Sequence, residues 1–240
     1  MNPFDGYRYK IELHSHTAPV SGCSRVPPED LVNYYKKIGY SALVVTNHMT
    51  PNYLKRSGSK RKAVDDYMKD FCCAYEAGKK LGIQVILGME IRFVANDSND
   101  YLVFGIDEEF IEKSVDFVPK SIEEYYPAMK NDRNLIIQAH PFREGLTLTE
   151  PQFVDGLETF NVHPEHNSRI GYAARCAFER PGMLVTAGTD THDLEYAGLI
   201  ATLIETVPED SYQLAALLKT KRYLFQMGEN IILPYGRLFS

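Results

Sequence analysis

The sequence predicts an α/β barrel with a mainly parallel sheet. Short β-type runs alternate with helical patterns almost from end to end, which is the connectivity of repeated βα units. Histidines and acids stand where several of those apolar runs give way to polar loops. An open doubly wound sheet gathers its site at one switch point and draws on few strands, whereas a closed barrel brings every strand C-terminus to one mouth. The spread of ligand-type residues over many strands therefore favours the barrel. At 240 residues the chain is the size of one such domain. No linker, low-complexity segment or repeat divides it, so residues 1–240 are expected to form a single domain.

In order, Tyr9–Leu13 is a strand, and after a Gly/Ser/Pro loop Pro28 to Ile38 is a helix with Glu29 and Asp30 in its first turn. Gly39 stops it, and Ser41–Thr46 is the second strand. A basic, polar connection leads to a long helix from about Val64 to Leu81, stopped by Gly82. Ile83–Glu90 is a strand continuing toward Phe93, followed by the turn Asn96-Asp97-Ser98-Asn99-Asp100 and the strand Tyr101–Gly105. Helical pieces over Asp107–Lys113 and Ser121–Asn131 precede the strand Asn134–Ala139. Leu157–Phe160 is a strand, His166–Glu179 a helix, Met183–Thr189 a strand, Leu199–Leu203 a strand and Ser211–Lys219 a helix before a short apolar tail. Between six and eight strands fit this pattern.

The net charge of −6 offers no global attraction to nucleic acid or anionic membrane, so neither is an expected partner. No apolar run approaches bilayer length, and the N-terminus lacks an apolar signal core. Cys23, Cys72, Cys73 and Cys176 lack the spacing of a disulfide scaffold, and Cys72-Cys73 read as helix packing residues. A reducing cytoplasm is the expected location.

The chemistry lies in the polar residues at the strand ends. His14 and His16 are two apart in a strand-like segment and so share a face. Alone, such a pair is more often a solvated or packed feature. Recurrence changes the odds: Thr46-Asn47-His48, Gly88-Met89-Glu90, Ala139-His140-Pro141 and Gly188-Thr189-Asp190-Thr191-His192 all sit at equivalent positions, and Asp190 and His192 repeat the two-residue spacing. Imidazole with carboxylate suits Zn²⁺, Mn²⁺ or Fe²⁺ rather than Ca²⁺, and the set is too large for one tetrahedral ion. Two or three ions fit it, with Glu90 able to bridge a pair.

Taken in order, His-x-His, Asn-His, Gly-Met-Glu, Ala-His-Pro and Gly-x-Asp-x-His resemble the PHP (polymerase and histidinol phosphatase) family, over about Tyr9 to Leu203. The resemblance implies a distorted (β/α)7 TIM-like barrel with up to three metals at its C-terminal mouth and a phosphoesterase activity. It implies one ion on His14, His16, Glu90 and Asp190, a second bridged by Glu90 and bound by His140, and a third on His48 and His192. A metal-bound hydroxide would then attack phosphorus in a small phosphorylated metabolite or nucleotide, with Glu90, Asp190 and His192 as the catalytic residues. Two departures stand out. Many members carry Asp or His where this chain has Ser21-Gly22-Cys23-Ser24-Arg25, and a histidine where it has Asn99-Asp100-Tyr101-Leu102-Val103-Phe104. Cys23 and Asp100 are the available substitutes.

Arg143, three residues past His140, is placed to grip phosphate, with a surface ion pair as the rival role. Arg25 could offset the missing acid, and His163 is a substrate or supporting group, while His166 opens the following helix. The run Lys55, Arg56, Lys60, Arg61, Lys62 reads first as a solvated loop and second as a lid. The rival functions are an amidohydrolase-like C–N or C–O hydrolase and a non-catalytic metal-binding domain.

Overall fold

The computed structural model describes residues 4–96, 98–180 and 182–236. Asp97 of the expected turn and the outermost residues of the expected 1–240 domain lie outside them. Strand β1 (Tyr9–Ser15) is followed by helix α1 (Pro28–Lys37), which turns Pro28, Leu31, Val32 and Tyr35 inward. Strands β2 (Ala42–Val45) and β3 (His48–Met49) come next, then α2 (Pro51–Ser57) and the long α3 (Lys60–Leu81). The basic stretch expected to be a loop is therefore helical. Thr50 and Ser59 cap these helices by accepting from Tyr53 N and Lys62 N. Its charges are engaged on the surface: Lys60 pairs with Asp116, and Arg61 with Asp65 and Glu112.

Strands β4 (Gln84–Leu87), β5 (Met89–Arg92) and β6 (Asp100–Phe104) lead to α4 (Glu108–Ser114) and α5 (Ile122–Met129). After them come β7 (Leu135–Gln138), β8 (Gly156–Asn161), α6 (Ile170–Phe178), β9 (Leu184–Gly188), β10 (Ala201–Ile204), α7 (Ser211–Lys219), β11 (Leu224–Met227) and β12 (Asn230–Ile232). The strands pair in two ladders, β12-β11-β10-β1-β2-β4 and β3-β5-β6-β7-β8-β9. Short interruptions connect the ladders. The chain passes from β2 to β3 through Thr46 and Asn47, and from β4 to β5 through Gly88, where Gly88 N donates to Val45 O. A Cβ on Gly88 would meet Val44 and Thr46 side chains at 2.7 and 2.8 Å, so only glycine permits this approach. At the other seam Ser15 forms a parallel bridge with Thr191, and His16 N donates to Thr191 O. The wall is a distorted α/β barrel, running β1, β2/β3, β4/β5, β6, β7, β8, β9 and back to β1.

The distortion is concentrated at β6. It follows β5 through a short turn and pairs antiparallel with both β5 and β7, because so short a connection cannot carry the chain back for a parallel return. The regular βα alternation is broken there, and the first residue of β6, Asp100, reaches the mouth instead of its last. The apolar tail forms the β11–β12 hairpin, extending β10 along the edge of β1. Leu43, Val45 and Val85 pack outward on α1 and α3, while Ile11, Leu13, Ala42, Val44 and Ile86 belong to the cluster on the opposite face.

Candidate metal centre

Strict alternation along β1 would place Glu12 and His14 on one face. The ladder with β2 instead pairs Glu12 with Leu43 and Ser15 with Val45, so β1 carries one extra residue. This bulge leaves Glu12 on the helix side, where its carboxylate accepts from Leu13 N, His14 N, Thr189 N and Tyr35 Oη. His14 and His16 turn into the mouth. Burial is the main influence on Glu12 and raises it to about 7 against those hydrogen bonds.

All the histidines and acids expected as ligands meet there. Glu90 lies at the centre, with Oε1 3.4 Å from His14 Nε2 and 3.3 Å from His140 Nε2, and Oε2 3.4 Å from His16 Nε2 and 2.8 Å from His48 Nδ1. Asp190 Oδ1 lies 3.3, 3.2 and 3.4 Å from His14 Nε2, His16 Nε2 and His192 Nδ1. The His16 ring is sandwiched between His48 and His192 at centroid separations of 4.4 and 4.3 Å. Three sets have ligand atoms close enough to share an ion: His14 with His16 and Asp190, His16 with His48 and His192, and His48 with Glu90 and Asp100. The grouping is thus more interwoven than the three sets the family resemblance implies, since His16 and His48 each serve two. Asp100 joins the cluster but is also gripped by Arg92, Nε to Oδ1 at 2.6 Å and Nη2 to Oδ2 at 2.5 Å. Cys23 lies beside His192 and His48; burial opposes its ionisation, but these neighbours outweigh it and bring the thiol down to about 6.

The donor set fits divalent ions on two grounds. Among the described residues, His14 Nε2, His16 Nε2, His48 Nδ1 and both Glu90 oxygens are buried with no hydrogen-bond partner, their mutual contacts being long or misaligned. Each such orphan costs about 1–3 kcal/mol, and here they face a common centre. Imidazole and carboxylate together are also the donors that first-row ions take. Charge follows the same geometry. Burial opposes charge on His14, yet Asp190, Glu158 and Glu90 raise it well above the ordinary imidazole value. His16 is held well below by burial and by its neighbours His192 and His48. Glu90 and Asp190 stay well below the usual carboxylate range, since His48 and His14 overcome the burial of Glu90 and His14 and His16 that of Asp190.

Four supporting residues escape a sequence reading. Glu158 accepts from His14 Nδ1 at 2.8 Å and from His140 N at 3.0 Å, so one carboxylate orients two ligands. Asn161 donates to Glu158 Oε2 and to Asp190 Oδ2. Ser21 Oγ lies 3.2 Å from His16 Nδ1, and Tyr196 stands beside His192. A charged residue inside the apolar run Gly156-Leu157-Glu158-Thr159-Phe160 is the one available signal for Glu158. Gly188 makes room for that pair, because a Cβ there would come within 2.4 Å of His14 Cβ and 2.7 Å of Glu158 Oε1. His140 and Asp190 both sit at positive φ, 31° and 58°, which bends the chain at each ligand.

Above the cluster opens a cavity of about 1020 Å³ whose lining includes Arg25, Arg143, His163 and Tyr196. Among the described residues neither Arg25 nor Arg143 has a side-chain hydrogen bond or ion pair, which disfavours the salt-bridge role for Arg143. His166 stacks on His163 at 4.4 Å and precedes α6 rather than opening it.

The family model of the PHP domain matches residues 12–214. Among curated proteins, the DNA polymerase III PolC-type of Clostridium perfringens is 27% identical over 158 residues, 66% of this chain; the chain spans 9% of that relative's length. A two-domain protein from Bacteroides vulgatus, containing a predicted PHP-like metal-dependent phosphoesterase, superposes with a TM-score of 0.63 at 18% identity, covering 95% of this chain and 67% of that one. An amidohydrolase from Chromobacterium violaceum, solved with bound sulfate and no metal, gives a TM-score of 0.52 at 13% identity, covering 78% of this chain and 89% of that one. At these identities the two structures establish the shared fold.

Proposed function

The chain belongs to the PHP domain family, and on that premise we propose that it is a metal-dependent phosphoesterase acting on a small phosphorylated metabolite or nucleotide. One observation carries the reading: buried imidazole nitrogens and carboxylate oxygens, unpartnered among the described residues, converge beneath a cavity bearing two guanidinium groups unpaired among those residues. Divalent ions held there would acidify a water at neutral pH and neutralise phosphoryl charge. His14, His16, Glu90 and Asp190 are proposed to hold the first ion, Glu90 and His140 the second, and His48 with His192, joined by His16, the third. Glu90 touches four of the imidazoles and so suits a bridging role. Asp190 and His192, which line the cavity, would move the proton of the attacking water or the leaving group. Arg143 and Arg25 would bind phosphoryl oxygens, and the buried wall of β strands excludes bulk water from behind.

The size of the cavity and the net charge of −6 favour a small ester over a polynucleotide, although the curated relative is a DNA polymerase. Among the described residues no helix is long and apolar enough to cross a membrane. Cysteines that form no disulfide among the described residues are compatible with a cytoplasmic setting. We propose that residues 1–240 work as one PHP-type barrel unit.

The test is a chelated protein reloaded with Zn²⁺, Mn²⁺ or Fe²⁺ and offered p-nitrophenyl phosphate, nucleoside monophosphates, a single-stranded DNA oligomer, and amides and lactones. Phosphate esters should be hydrolysed only after reloading, and His14→Ala and Asp190→Asn should lose at least about a hundredfold in kcat/KM. Turnover of amides or lactones alone would favour the amidohydrolase-like reading. Full turnover by both variants would remove the first ion from the mechanism.

A further inference from the structure

We propose that Tyr196 is a substrate-binding residue whose phenolic proton is aimed into the cavity by His163 and donated to an oxygen of the anionic substrate. The inference follows from counting hydrogen-bond donors and acceptors around one oxygen. Glu165 N donates to His163 Nδ1 at 3.2 Å, so that nitrogen carries a lone pair and the ring proton of His163 is on Nε2. Nε2 lies 3.0 Å from Tyr196 Oη and must be the donor of that bond. The backbone N of His192 donates to the same oxygen at 3.3 Å. Tyr196 Oη therefore accepts twice, and its own proton has no acceptor among the described residues. It is left to the cavity, which Tyr196 and His163 line together with Arg143 and Arg25.

The arrangement is built rather than incidental. His163 is buried, stands edge-on to the Tyr196 ring at 4.9 Å, and stacks on His166 on its other side. Asp193 caps the short turn that carries Tyr196 by accepting from Glu195 N. Of the two roles expected of His163, this selects the supporting one. It acts through Tyr196 as a positioning residue, and the phenol is the group that meets the ligand. A neutral donor that shares its cavity with two arginines suits an oxyanion that also binds the ions, because it adds a directed hydrogen bond without further charge.

This inference rests on the phosphoesterase reading only for the identity of the anion, and its tests separate the two. In metal-free wild-type protein, ¹⁵N shifts of the His163 ring should show protonated Nε2 and bare Nδ1. In Zn²⁺-loaded protein, Tyr196→Phe should weaken binding of inorganic phosphate about tenfold, as loss of a hydrogen bond to a charged ligand does, with metal content unchanged. For p-nitrophenyl phosphate the loss should fall mainly on KM. His163→Ala should weaken phosphate binding in the wild-type background and have no further effect on Tyr196→Phe. Protonation at Nδ1, or wild-type phosphate affinity in a folded, metal-replete Tyr196→Phe, would overturn the proposal. The tautomer measurement needs no variant and so decides even if Tyr196→Phe does not fold. Tyr196-dependent phosphate binding without hydrolysis of any ester would sink the phosphoesterase reading and leave this one standing.

Discussion

Glu158 shows how much of the candidate metal centre rests on residues outside the cluster suited to hold an ion. Its two oxygens fix the His14 ring and the His140 backbone, and Asn161 ties the same carboxylate to Asp190. Replacing it with Gln keeps the volume but loses the charge that raises the basicity of His14. Glu158→Gln should lower Zn²⁺ affinity about 10–100-fold; equilibrium dialysis would check it. The histidines and acids that meet at the mouth were legible, because each stands where an apolar run stops and the pattern repeats. Asn161 and Tyr196 were not, since nothing local distinguishes them from ordinary polar residues until the strands are folded side by side, and Glu158 offered only its charge inside an apolar run.

At the scale of elements, the β1 bulge and helix α3 aim the site. Asp70 of α3 accepts from Thr17 Oγ1 at 2.5 Å and from Asn47 Nδ2 at 2.7 Å, pinning the residues that follow His16 and precede His48. Burial raises Asp70 to about 6 despite those two hydrogen bonds. The sign follows from linkage: an acid whose pKa is raised on folding binds more protons in the native state, so stability falls as pH rises from about 4 to about 6 and is flat above. Asp70→Asn should flatten that part of the profile relative to wild type, measured by urea denaturation at pH 4.5 and 7. A variant curve parallel to wild type would exclude this role for Asp70. The order of strands and helices was largely readable from periodicity, but the bulge was not, since one extra residue changes no hydrophobic pattern. The reversal of β6 was hidden for another reason. Its Asn/Asp turn was visible, yet the surrounding βα rhythm argued for a parallel strand. Helix α2 was missed because seven residues beginning with Pro and rich in basic groups resemble a loop.

For the whole molecule, the cluster makes metal content part of stability. An apo barrel must tolerate unpaired buried atoms and protonated imidazoles where ions would sit. Since burial is overcome and His14 and His48 are raised well above the ordinary imidazole value, metal binding at neutral pH must displace protons. Calorimetry in buffers of different ionisation enthalpy should record net proton release, and occupancy should fall as pH drops. Chelation should lower the melting temperature, because free ion at a hundred times its Kd contributes about 2.7 kcal/mol. An unchanged melting temperature on chelation would mean that the mouth holds no ion in the purified protein. Barrel closure was inferred from the number of ligand-bearing strands, and the structure supplies what that count lacked: the interruptions at Thr46-Asn47 and Gly88 that let two ladders share one wall.

The bridge between Ser15 and Thr191 also sets a timetable. It joins segments 176 residues apart in sequence (191 − 15), and contacts so distant form late because the intervening loop must first be closed. His14 and His16 are synthesised before Asp190 and His192 and wait for them, so an ion on the His14, His16 and Asp190 set cannot template the first steps of folding. It can only lock the last one. In stopped-flow refolding, Zn²⁺ present from the start should leave the early phase unchanged and alter only the final phase; an accelerated first phase would show that the ion arrives sooner than the seam allows.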